Sequence, residues 1–272
     1  MSRPRTGNLA LIAGKGALPA ALVAALAERP FICALDGFPP DSLVVDQIFR
    51  IERLALFLRL LEDRGITEVI FAGAVERPRL DPALFDPATA TLVPRLLAAM
   101  GQGDDATLRE VIAVFEEAGF AVKGVEDIAP ALLPGPGLLA GALTTQDEAD
   151  AERAAAIVAA LGAVDVGQGA VVAQGLCLGV EVLSGTDALL ASVAALRPEL
   201  RPGPARGLFY KAPKPGQDRR IDLPTIGVQT IEQAAAAGLG GVVIAAGGVI
   251  CLDLPALIEA ARAKGMFLWV RK

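Results

Sequence analysis

Histidine does not occur in this chain, and its absence removes Ser-His-Asp and Cys-His catalysis, His-ligated zinc and two-histidine phosphoesterase chemistry together. Acid, base and metal work must fall to Asp, Glu and Lys. Cysteine is scarce: Cys33, Cys177 and Cys251 lie far apart in apolar stretches without C-x-x-C spacing, so buried thiols are expected rather than ligands or disulfides. That pattern fits a reducing cytoplasm. Positive charge is in the minority, 25 Lys and Arg against 31 Asp and Glu, and a net charge of -6 leaves no broad basic surface for a nucleic-acid backbone. Any anion must be met locally. No stretch reads as a membrane span: the uncharged run Leu239 to Leu252 is too short and glycine-rich for a spanning helix of ~20 residues. Ser2-Arg3-Pro4-Arg5 before apolar residues imitates a secretory signal, but Lys15 interrupts the apolar core, and a strand, glycine turn and helix between Leu9 and Ala27 account for every residue. A soluble, cytoplasmic chain is the expectation.

What is present is apolar and alternating. With 272 residues and 53% hydrophobic composition the chain can bury one large core or two modest ones. "LALIA", "FICALD" and "EVIFAG" read as strands, while Ala20 to Ala27, Leu54 to Arg64 and Thr107 to Ala118 read as helices, with Gly65 and Gly119 as stops. Such alternation predicts a parallel, doubly wound, Rossmann-like sheet over 1–130. "APALLPGPGLLAGAL" carries three prolines and three glycines and reads as a linker, 131–143. Over 144–272 a second α/β domain is expected: a capping box Thr145/Glu148 opens a helix to Leu161 closed by Gly162. "GAVVAQG" and "CLGVEVL" then form consecutive strands, and the Thr186-Asp187 turn starts a helix to about Leu196. Thr230/Gln233 forms another box, followed by the strand "GVVIAA", a helix Leu254 to Lys264 and a last strand "MFLWV".

Polar residues gather at the expected strand ends. "IAGKGALP" places Gly14, Lys15, Gly16, Ala17 and Leu18 where backbone N–H groups and a helix end can receive a phosphate, although Pro19 stands at the third glycine position and a plain tight turn explains the stretch equally well. Asp36 stands about where dinucleotide folds hold a ribose, or is an exposed turn carboxylate; Gly73 in "FAGAVERP" permits close backbone approach at a third strand end. Asp104 and Asp105 in "GQGDDATLRE" are favoured as N-caps over ligand contacts. Gln168 in "VDVGQGAVV", with Thr186 and Asp187 in "SGTDALL", suggests convergence on a cavity in the second half. The densest cluster is "KAPKPGQDRRIDLPTIGVQT", Lys211 to Thr230, which interleaves cations with carboxylates. Lys211 and Lys214 suit phosphate charge, and Asp222 with Asp218 suffices for a magnesium ion, which needs few carboxylates, several waters and phosphate oxygens.

Through "LIAGKGALP", "AGAVERP", "GDDATLR", "DVGQGAVV", "GTDALL" and "KPGQDRRIDLPTIGVQT" the chain resembles the LpxI-type UDP-2,3-diacylglucosamine pyrophosphatases of Gram-negative lipid A synthesis over nearly its whole length. Ser184, where the family pattern has glutamate before Gly-Thr-Asp, is a departure. The resemblance implies a cytoplasmic, magnesium-dependent hydrolase with two domains, a ligand cavity between them, a homodimeric state and peripheral contact with the inner membrane. Its substrate would be UDP-2,3-diacylglucosamine, split into UMP and 2,3-diacylglucosamine 1-phosphate (lipid X), with water attacking the sugar-side phosphorus. It implies that Gly14 and Gly16 lie near the nucleotide and that Asp222 is the acidic residue of metal-assisted attack; Lys211, Lys214 and Arg219 are then expected to balance phosphate charge, with Gln217 at the substrate. A non-catalytic nucleotide-sugar carrier is the alternative, and it would have no use for Asp222 beside Arg219 and Arg220.

Overall fold

The computed structural model describes residues 7–75, 80–201, 203 and 206–272, the side chains of Asp104, Asp105 and Pro198 excepted. Two compact units divide the chain. The described residues up to Pro130 together with Asp218–Asp222 form the first, and Ala131–Gln217 with Leu223–Lys272 form the second, so the polypeptide passes from unit to unit three times.

In the first unit β1 (Leu9–Ala13), α1 (Leu18–Ala25), β2 (Phe31–Leu35), β3 (Gln47–Phe49), α2 (Leu54–Asp63) and β4 (Glu68–Ala72) precede the short α3 (Pro87–Ala90) and α4 (Val93–Met100), then α5 (Asp104–Glu117), β5 (Ala121–Lys123) and α6 (Val125–Ile128). Every strand pair is parallel and the order is β3-β2-β1-β4-β5. The central strand is buried along its whole length, as a continuous apolar run covered on both faces must be. Leu54, Phe57 and Leu61 point α2 at this core, and Phe115 of α5 meets Phe71 edge-on at 5.0 Å between ring centroids. Ile221, arriving from far along the chain, packs against the same cluster.

The second unit contains β6 (Gly137–Ala140), α7 (Thr145–Ala163), β7 (Gly169–Ala173), β8 (Leu176–Val180), α8 (Gly185–Ala194) and β9 (Leu208–Lys211). It continues with β10 (Thr225–Ile226), α9 (Val228–Ala236), β11 (Gly241–Ala245), β12 (Ile250–Cys251), α10 (Leu254–Ala263) and β13 (Phe267–Arg271). Its main sheet runs β6-β13-β11-β9-β7-β8, with a parallel centre of β9, β11 and β13 and antiparallel pairs outside it, and β10 pairs separately with β12.

Several local expectations are corrected here. The stretch read as a linker contributes β6, an edge strand antiparallel to β13. The first capping box lies one residue earlier, Thr144 with Asp147, and α7 runs through Gly162, which has no room for a side chain because a Cβ would meet Pro215 Cδ at 2.7 Å. Gly227, not Thr230, precedes α9, and Thr230 bonds back to it from the third position. Gly103 caps α5, so Asp104 and Asp105 are first-turn residues whose side chains lie outside the described set. Cys33 and Cys251 are buried, and desolvation pushes each thiol up to about 12, but Cys177 on edge strand β8 is exposed.

Candidate active site

The strand order of the first unit reverses between β1 and β4, the place where open α/β sheets receive ligands at their carboxyl ends. The two glycine turns meet there. Gly14 N donates to Ala72 O at 2.8 Å, and Lys15 and Ala74 exchange backbone bonds at 2.9 Å in both directions. A Cβ on Gly14 would lie 2.5 Å from Ala74 O, and one on Gly73 would lie 2.7 Å from the Gly14 backbone, so each glycine is required by the other turn. The third turn amide, Gly16 N, donates to Asp41 Oδ2 at 2.8 Å, and Lys15 Nζ lies 5.5 Å from the Phe38 ring centroid. A carboxylate of the following loop thus occupies an anion position at this turn. Ala17 precedes α1 without a side-chain cap and Leu18 begins it. Asp36, just past β2, is an exposed partner of Arg50 at 3.5 Å.

The segment Asp218–Asp222 is fastened to the first unit by charge and by packing. Arg220 grips Asp218 with two guanidinium nitrogens, Nη2 to Oδ2 at 2.7 Å and Nε to Oδ1 at 3.0 Å, while its Nη1 reaches Glu116 Oε1 at 2.6 Å. That guanidinium is the main reason the Asp218 carboxyl is held below its ordinary value. Gly124 leaves room for the Arg220 backbone, a Cβ there being 3.3 Å from its Cα. Arg219 makes a longer, exposed pair with Glu126 at 3.4 Å. Half-buried Asp222 follows Ile221 and ends the segment.

In the second unit the carboxyl end of β9 carries Lys211, only 6% exposed. Its Nζ donates to Thr186 Oγ1 at 2.7 Å, and that hydroxyl donates to Glu181 Oε2 at 2.8 Å. Glu181 is equally buried and was not singled out from the sequence, where its signal is a lone carboxylate inside the apolar run "CLGVEVL". Beside it, Gln168 keeps a buried side-chain oxygen without a hydrogen-bond partner. Lys214 pairs with Asp165 at 2.6 Å, and its backbone N donates to Gln217 Oε1 at 3.0 Å, so the buried Gln217 closes the turn after β9. Asp187 is exposed in the first turn of α8, where a carboxylate faces the positive helix end.

The expected residues therefore fall into two groups: Gly14 to Leu18, Asp36, Gly73, Asp218, Arg219 and Asp222 in the first unit, and Gln168, Thr186, Asp187, Lys211, Lys214 and Gln217 in the second. A cavity of about 620 Å³ in the second unit is lined by none of them. It sits before β9, β11 and β13, between Thr144, Arg206, Gly240 and Met266, at the amino ends of the parallel strands. The buried charges Lys211 and Glu181 gather instead at the carboxyl end of β9, the side on which open α/β sheets receive ligands. Among the described residues no three carboxylates or thiolates gather as a ready-made metal cage.

The sequence matches known proteins over nearly its whole length. The family model for the LpxI N-terminal domain matches residues 8–132, and that for the LpxI C-terminal domain matches residues 136–269. A protein of Caulobacter vibrioides named UDP-2,3-diacylglucosamine pyrophosphatase LpxI is 38% identical over 276 residues, covering 96% of this chain and 96% of that protein.

Proposed function

This chain belongs to the LpxI family, and from that membership we propose that it hydrolyses the diphosphate of UDP-2,3-diacylglucosamine in lipid A biosynthesis, releasing UMP and 2,3-diacylglucosamine 1-phosphate. The observation that carries the reading is likeness to a pyrophosphatase across both units, with 96% of each chain covered. The oxygen of one water bonds to the sugar-side phosphorus, the bridging P–O bond breaks with its electrons going to UMP, and one proton of the water passes to solvent while the other stays on the new phosphate monoester.

The protein's part is to meet charge. Lys211 and Lys214 face the phosphate oxygens, whose negative charge redistributes as the bridge breaks, and preorganised cations stabilise that change. Asp222 is the residue we assign to a magnesium ion. With Asp218 engaged by Arg220, one carboxylate together with phosphate oxygens and water is a donor set that magnesium accepts. When bound, the ion supplies neutralisation of the diphosphate. Asp218 then serves chiefly to fix the segment that presents Asp222, and Arg219, at its exposed edge, to meet substrate. Gln168 offers its unpaired oxygen to a donor on the glucosamine, such as an amide N–H or a hydroxyl.

The same reading makes the protein a cytoplasmic homodimer that meets its diacylated substrate at the membrane surface; no helix among the described residues is long and apolar enough to cross a membrane. Mass spectrometry of UDP-2,3-diacylglucosamine incubated with the chain tests the proposal. UMP and the sugar phosphate should appear with magnesium, stop with chelator and return on adding magnesium back. Intact substrate in the presence of magnesium overturns the activity, and full turnover in excess chelator overturns the metal assignment alone.

A further inference from the structure

Two buried charges in the second unit do nothing that stability requires. Lys211 and Glu181 are 6% and 7% exposed, and an ion pair so placed contributes no more than well-packed apolar residues would, because desolvation cancels the attraction. Their geometry is also indirect. Nζ and Oε2 are 3.7 Å apart, beyond hydrogen-bond reach, and the Thr186 hydroxyl lies between them, 2.7 Å from one and 2.8 Å from the other. A hydroxyl has a single proton. Since the ammonium can only donate and the carboxylate can only accept, the order of the chain is fixed from Lys211 through Thr186 to Glu181.

The backbone around Glu181 is built to admit it. Its N–H donates to Gly169 O at 2.8 Å, and Gly169 is itself the strand partner of Lys211. A Cβ on Gly169 would stand 2.7 Å from Glu181 Oε2, and one on Gly167 would stand 1.9 Å from Glu181 O. Side chains are missing where the carboxylate passes.

We propose that Glu181 is the positioning residue for Lys211, acting through Thr186 to hold the ammonium aimed along one direction at the end of β9. The proposal rests on the reading above in which Lys211 meets the diphosphate. A lysine on a flexible stem has many rotamers, and a cation that must already be in place when charge redistributes gains from having one.

Steady-state kinetics with UDP-2,3-diacylglucosamine decide it. Glu181→Gln keeps the size and an acceptor but removes the charge; kcat should fall on the order of ten- to a hundredfold while KM stays within about threefold. Introduced into Lys211→Met, the same change should cost less than about twofold further, because the group it positions is gone. Thr186→Val should behave like Glu181→Gln, and Thr186→Ser, which restores the hydroxyl, should recover most of the difference. If circular dichroism shows Glu181→Gln unfolded, the Thr186 pair carries the test. A Glu181→Gln chain that turns over at the wild-type rate overturns the proposal, as does a full additional loss in the Lys211→Met background. A wild-type chain that leaves the substrate intact overturns the activity and this role with it, which separates the two failures.

Discussion

Deleting the Arg220 side chain should loosen the segment that carries Asp222 without unfolding the first unit. Arg220→Ala removes the two-nitrogen grip on Asp218, at 2.7 and 3.0 Å, and the 2.6 Å contact with Glu116. The Glu116 pair is exposed on both sides, 34% and 46%, and is worth at most about 1 kcal/mol. Asp218 is less exposed, 16%, so losing its counter-charge matters more. Hydrogen bonds to charged groups contribute ~1.5–3 kcal/mol, and discounting for the solvent that reaches Arg220 leaves about 1–2 kcal/mol. Ile221 still packs in the core and the Arg220 N–H still donates to Asp218, so the segment is weakened rather than released. That free energy corresponds to roughly a 5- to 30-fold larger population of the detached segment. Hydrogen exchange read by mass spectrometry over residues 218–222 should accelerate by that factor while kcat falls and the melting temperature drops by only ~2–8 °C. Wild-type exchange rates over the segment, with wild-type kcat, would refute the anchoring role.

Asp222→Ala should lower kcat on the order of a hundredfold or more while the melting curve and much of the substrate affinity persist, since binding energy from uridine and acyl chains lies elsewhere; near-wild-type hydrolysis by a folded variant would overturn the assignment. With the thiols of Cys33 and Cys251 pushed to about 12, a maleimide at pH 7 should label Cys177 alone in the native protein and all three cysteines after denaturation, and rapid native labelling of a second thiol would contradict the packing. Because Arg220 holds the Asp218 carboxyl below its ordinary 3.8, the pair's contribution is complete above that value and is lost as pH falls through the lower native one. The melting temperature should therefore decline in that acid range, and less steeply for Asp218→Asn; parallel declines would count against the pair.

The long elements were legible because their periods are strong: the strands at 9–13, 31–35 and 68–72 and the helices at 54–63 and 254–263 lie within a residue or two of their expected places. Strands of three residues, β3 and β5, carry too few positions for any period to register. Thr144-Thr145 and Asp147-Glu148 offer the same capping spacing in two adjacent registers, and the folded chain uses the earlier one. Gly162 looked like a stop because helix ends favour glycine, but here the small residue admits Pro215. The same ambiguity governs the candidate site. Gly14 and Gly73 leave room for each other's backbone, a close approach between turns far apart in sequence, and the Lys211-Thr186-Glu181 chain joins three elements that no local spacing connects. The interleaved charges after Lys211 were visible, but their division between two units was not, because membership of a unit is a property of contacts.

That division has a consequence for inheritance. The family model for the C-terminal domain spans 136–269 and so includes the five residues that fold with the first unit. A recombination near Pro130 that exchanged first halves between relatives would deliver a new sheet with the old Arg220, whose fit depends on Glu116 and on the bare backbone at Gly124. A chimera should therefore hold the segment that carries Asp222 more firmly when 218–222 travels with the first half than when it stays with the second.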